Sequence, residues 1–225
     1  MNNALFIAAI VIVVLVVLIG MVLFKEVRTH LFWRRMVAED DPDVIGQILE
    51  NEIERWRIMR PPKGISAAVW TGVQGMELLA GSRQLVQVST NAEAEFRLVD
   101  GRRTQVAGAL DTAFAVAARL IEMILYDIPD LRPAAVRVDV YTTFRNESGA
   151  AEPRPILSLT ADRQTAAPLP WDVAPAEEII AAFQPIYRLS EQGDALPIAL
   201  PPPPEEPRPP PGAGAEAQDR SAPVS

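Results

Sequence analysis

The chain has 225 residues, a formal net charge of -8, 21 prolines, one histidine and no cysteine. Absent cysteine excludes disulfides, thiolate metal sites and cysteine nucleophiles, and a lone His30 beside an apolar run leaves no histidine cluster for a metal and no G-x-S-x-G hydrolase pattern to serve. The acid excess is uneven: residues 191–225 hold Glu191, Asp194, Glu205, Glu206, Glu216 and Asp219 against Arg208 and Arg220, and the remainder shows no sizeable basic patch for a nucleic acid.

Residues 4–24 read ALFIAAIVIVVLVVLIGMVLF, without a charge or a strongly polar side chain. As a helix this run is roughly 30 Å long, the thickness of a bilayer's hydrocarbon core. Met1-Asn2-Asn3 lacks the basic start of a secretory signal and no Ala-x-Ala follows, so the run reads as a permanent single-pass anchor. Lys25, Arg28, Arg34 and Arg35 flank only its C-terminal side, which predicts N-terminus out and the bulk of the chain in the cytoplasm, at a plasma membrane. Phe32 and Trp33 stand where aromatic side chains anchor at the membrane interface. Two lysines (Lys25 and Lys63) against nineteen arginines, with abundant Ala and Pro, suggest a GC-rich, bacterial source.

Residues 25–38 are expected to continue the helix. Asp41-Pro42-Asp43 then signals a new one: an N-cap, a proline at the first position and an acid near the positive end of the dipole. Ile45, Ile48, Leu49, Ile53 and Trp56 share one face at helical spacing, and Pro61-Pro62-Lys63-Gly64 ends the element. Residues 65–79, with Gly72 and Gly75, predict a short helical turn followed by extended chain. Residues 85–90 and 94–99 alternate as strands, and Asp100-Gly101 is a tight-turn signal. Residues 104–126 predict a helix so broadly apolar that it must be buried on more than one side.

Residues 135–144 are a clear strand, with Val136, Val138, Val140, Thr142 and Phe144 on one face and Arg137, Asp139, Tyr141 and Thr143 on the other. Residues 156–160 return beside it, and Arg154-Pro155 suggests a sheet edge. Ala174-Pro175-Ala176-Glu177-Glu178 opens a last helix with Ile179, Ile180 and Phe183 buried. Beyond that, PPPPEEPRPPP favours polyproline II and reads as a disordered, solvated spacer.

The expected organisation is a transmembrane anchor (1–24), juxtamembrane helices (25–64), an α+β domain (65–190) and a disordered Pro-rich tail (191–225). The domain would have two layers, an antiparallel sheet in ββαββα order with helices on one face. No cofactor is expected and no phosphate-binding loop occurs. The acids Glu39, Asp40, Asp41 and Asp43 fit helix capping better than a cation site, and Trp33, Trp56, Trp70 and Trp171 fit packing. The preferred function is an anchored interaction or accessory module, not an enzyme, whose partners are the lipid bilayer and a membrane protein. Arg137, Asp139 and Tyr141 on the outward sheet face are the candidate contacts. The rivals are an exported ligand-binding or sensory domain with an apolar pocket under the central helix, and an enzyme using carboxylates and arginines, for which Asp139 and Asp162 would have to converge.

Overall fold

The computed structural model describes residues 41–99, 101–146 and 148–202. They form a mixed α+β domain with a mostly antiparallel sheet. Among the described residues no helix is long and apolar enough to cross a membrane. The apolar run 4–24 lies outside them, as do His30 and the expected interface residues Lys25, Arg28, Phe32, Trp33, Arg34 and Arg35.

Helix α1 (Pro42–Ile58) starts as its sequence dictates. The Asp41 carboxylate accepts the backbone N–H groups of Asp43 at 3.0 Å and Val44 at 3.4 Å, satisfying donors that no helical carbonyl can reach. Ile45, Leu49, Ile53 and Trp56 are buried along one stripe. They join the same hydrophobic core as the strands, so this helix belongs to the domain and not to a separate juxtamembrane unit. Burial of each such side chain contributes roughly 1.5–3 kcal/mol.

Helix α2 (Ala67–Gln74), capped by Ser66, and strand β1 (Glu77–Gly81) realise the expected helical turn and extended chain. Strand β2 (Leu85–Asn91) pairs antiparallel with β1. Strands β3 (Glu95–Val99) and β4 (Arg102–Ala107) then form a separate two-stranded sheet. Helix α3 (Ala109–Glu122) comes next and widens into a π-helical turn at Met123–Asp127. Strands β5 (Ala135–Arg145) and β6 (Ala151–Asp162), the single turn α4 (Arg163–Ala166), helix α5 (Ala176–Ala181) and strands β7 (Ile186–Leu189) and β8 (Ala195–Leu196) complete the order.

The main sheet runs β1-β2-β5-β6-β7-β8. Its β2–β5 pair is parallel, against the antiparallel expectation. The reason is the crossover: α3 carries the chain back along the sheet, so β5 starts level with the start of β2. Buried Val86, Val88, Val136, Val138 and Val140 join one hydrophobic core with Val116, Ala117, Leu120 and Ile121 of α3.

Four further expectations change. The stretch 104–107, expected in the central helix, is strand β4, and α3 begins only after Gly108. Val99 pairs with Arg102, leaving two residues for the turn, and Gly101 takes φ +74° there. Such a hairpin turn commits the residues after it to a strand. The expected ββαββα order is therefore replaced by a longer one, in which β2 pairs with β1 and β3 with β4.

Strand β6 is not an edge; β7 lies beyond it. Pro155 is tolerated because its neighbour on that side, Ile198, donates to the proline carbonyl at 2.9 Å and asks for no N–H. Residues 191–202, expected to begin a disordered tail, instead contain β8 and a buried Ile198.

Candidate functional site

Alternation in β5 places Arg137, Asp139 and Tyr141 on the sheet face opposite α3, as the sequence implies. Their expected exposure is corrected: Arg137 and Asp139 are each only 4% exposed, and Tyr141 is half-buried. Burying a guanidinium and a carboxylate is costly unless both are paired and hydrogen-bonded.

Here they are paired. Arg137 Nε donates to the Asp139 carboxylate at 3.1 and 3.2 Å, and Ser158 Oγ donates to the same carboxylate at 2.5 Å from the facing position on β6. The terminal nitrogens of Arg137 turn outward. One donates to the carbonyl of Pro202 at 3.0 Å and the other to that of Pro201 at 2.8 Å. The segment after β8 thus crosses the polar face and closes over the ion pair. The sequence pattern assigns those prolines to a solvated spacer, and nothing in their composition points to Arg137.

Farther along the same face, four positions of β5 beyond Arg137, the surface is open. A groove of about 360 Å³ is lined by Leu79, Ser89, Asn91, Tyr141 and Pro153, among others. Burial raises the Tyr141 phenol above its usual value of 10.0, and the Asp139 charge adds to the rise. Tyr141 is therefore a neutral phenol and a hydrogen-bond donor at physiological pH.

The other singled-out groups separate. The β5–β6 register sets Asp139 opposite Ser158 and Asp162 opposite Ala135, so the two carboxylates stand four positions, or about 13 Å, apart along the sheet. Asp162 is occupied as the cap of α4, accepting the Thr165 N–H at 2.8 Å. Trp56 and Trp70 are buried packing residues; the Trp70 indole donates to the Met59 carbonyl at 2.9 Å, and that of Trp171 to Ala166 at 3.0 Å. Among the described residues no group of His, Asp and Glu converges as a metal ion would require.

A larger cavity of about 530 Å³ opens between the first turns of α3, the end of β5 and the β7–β8 turn. Glu93, Asp111, Phe114, Tyr187 and Asp194 are among its walls. Glu93 is held there by Thr142 Oγ1 at 3.2 Å, Thr143 N–H at 3.1 Å and Thr143 Oγ1 at 2.7 Å. No protein-family model, no curated protein and no solved structure matches this chain.

Proposed function

We propose that this protein is a single-pass membrane protein that holds a small α+β domain at the cytoplasmic face, where it serves as an interaction or accessory module. Residues 4–24 would form the span, with Lys25, Arg28, Arg34 and Arg35 retained inside and Phe32 and Trp33 at the interface. A tether of this kind raises the local concentration of the domain near membrane-bound partners without any new contact. Beyond residue 202 the Pro-rich sequence would extend its reach.

The observation that carries the reading is the polar sheet face itself. It presents Arg137 buried against an extended segment of chain, with Tyr141 standing beside an open groove on the same face. Interaction domains take extended peptides by main-chain pairing at a sheet edge or by docking proline-rich segments into aromatic-lined grooves, and this face offers the features of the second mode.

Photo-crosslinking tests it. A benzophenone amino acid at Tyr141, in the full chain in its native membrane, should yield a discrete protein adduct, while the same group at exposed Glu50 on α1 should not. Equal adducts from both positions, or none from Tyr141, contradict the reading.

One observation favours a second reading. The 530 Å³ cavity lies between α3 and the sheet end, where an exported ligand-binding or sensory domain would hold its ligand. Its mixture of carboxylates and aromatic rings suits a polar ligand more than the apolar one expected from sequence.

A further inference from the structure

Arg137 carries more than a structural ion pair. Its Nε side is neutralised by Asp139, and Ser158 holds that carboxylate in place, so the carboxylate cannot swing to the outer nitrogens. Those nitrogens form a fork that meets two successive carbonyls, Pro201 and Pro202. Successive prolines suit such a fork. They offer carbonyls unused by any internal bond and bring no N–H that would stand unpaired against the arginine donors.

The covering segment is lightly held. Among the described residues, 199–202 make no hydrogen bonds except the two to Arg137, and Ala199 and Leu200 are exposed. Its nearest other tie is the Ile198 N–H to the Pro155 carbonyl. On the same face, four positions and about 13 Å along β5 from Arg137, Tyr141 supplies an aromatic wall to an open groove, the surface on which proline rings pack well and a distance that a few further residues of extended chain would cover.

We propose that residues 199–202 are a displaceable strap, and that the Arg137 fork and Tyr141 groove form a receptor for an extended proline-rich segment of a partner protein. The inference rests on the interaction-module reading and names its ligand class. In the closed form the strap is an intramolecular competitor that lowers the apparent affinity for the partner segment by the fraction of molecules left open. Release of the strap is then the regulatory step.

The test uses the full chain in detergent and a fluorescein-labelled synthetic peptide of its own residues 199–211, ALPPPPEEPRPPP. Loosening the strap with Pro201→Gly and Pro202→Gly should tighten peptide binding about tenfold over the wild type, because the competitor is weakened. Adding Arg137→Lys should reverse that gain, since an ammonium cannot grip two carbonyls as a planar fork does. Tyr141→Ala, at a half-exposed position that tolerates change, should also weaken binding and serves if Arg137→Lys fails to fold. No binding to the loosened chain, or binding indifferent to both Arg137 and Tyr141, overturns the proposal. A chain that still forms its membrane crosslink at Tyr141 while ignoring the peptide would overturn this inference alone and leave the interaction module standing.

Discussion

Arg137 and Pro201 are 64 residues apart in sequence and joined by a 2.8 Å hydrogen bond in the fold. That contact, with its neighbour at Pro202, helps to make a strand residue on the polar face a buried one. It also sets the energetic stakes of the pair beneath. Arg137→Ala would leave the Asp139 carboxylate buried without its cation, at a cost of about 3–5 kcal/mol. Urea denaturation of the variant should show that loss; a change below about 1 kcal/mol would place the pair among surface ion pairs in its worth.

Two glycines should respond to alanine with opposite signs. At Gly72 a Cβ would sit 2.6 Å from Val116 Cγ2 and 3.0 Å from the Asn91 carbonyl oxygen, inside the buried contact between α2 and α3. Overpacking of that kind costs roughly 1–3 kcal/mol. Gly46 lies within α1 with nothing within 4 Å of the added carbon, so Gly46→Ala should stabilise by about 0.5–1 kcal/mol through helix propensity. Thermal midpoints of the two variants against the wild type check both signs.

Acid should weaken the domain partly through Asp162. The hydrogen bond from the Thr165 backbone holds this carboxyl below its usual 3.8. A depressed folded-state value contributes stability that is present above the unfolded-state value and is lost as pH falls through the folded one. Asp162→Asn should therefore show a shallower loss of stability than the wild type as pH drops below about 4. Parallel profiles would contradict the cap. Near neutral pH, Asp162→Ala should cost ~1 kcal/mol as a lost N-cap.

Alkaline pH should act the other way on Tyr141. Burial first, and the Asp139 charge second, raise its phenol above 10.0, so its contribution is present below that value and is lost as pH rises through the raised one. Tyr141→Phe should remove part of the alkaline loss. Tyr126, raised by burial, accounts for some of what remains. Stability measured from neutral to strongly alkaline pH in both chains decides it.

Much of the architecture is legible where one signal governs one element. Asp41-Pro42 and the spacing of Ile45, Leu49, Ile53 and Trp56 give α1 its start and its buried stripe; the alternation of β5 gives its two faces. The β3–β4 hairpin is hidden because Val106 and Leu110 share a helical spacing, which outweighs the turn at Gly101 that could reveal β4. Arg137, Asp139 and Tyr141 fall on the correct face, yet their burial is invisible in the sequence. It depends on prolines more than 60 residues away, in a composition that by itself favours solvent.

A domain tethered at the cytoplasmic face, as proposed, can be probed by cysteine accessibility, because the chain has no cysteine of its own. Ala150→Cys places one thiol at an exposed position of the β5–β6 turn; it is preferable to Gly149, whose φ of +78° a side chain would strain. Cells expressing the full chain are treated with a membrane-impermeant maleimide, and the alkali-washed membrane fraction is recovered. The protein should be found in that fraction, with the introduced thiol protected in intact cells and labelled after lysis. Labelling in intact cells, or loss of the chain from the washed membranes, would contradict it.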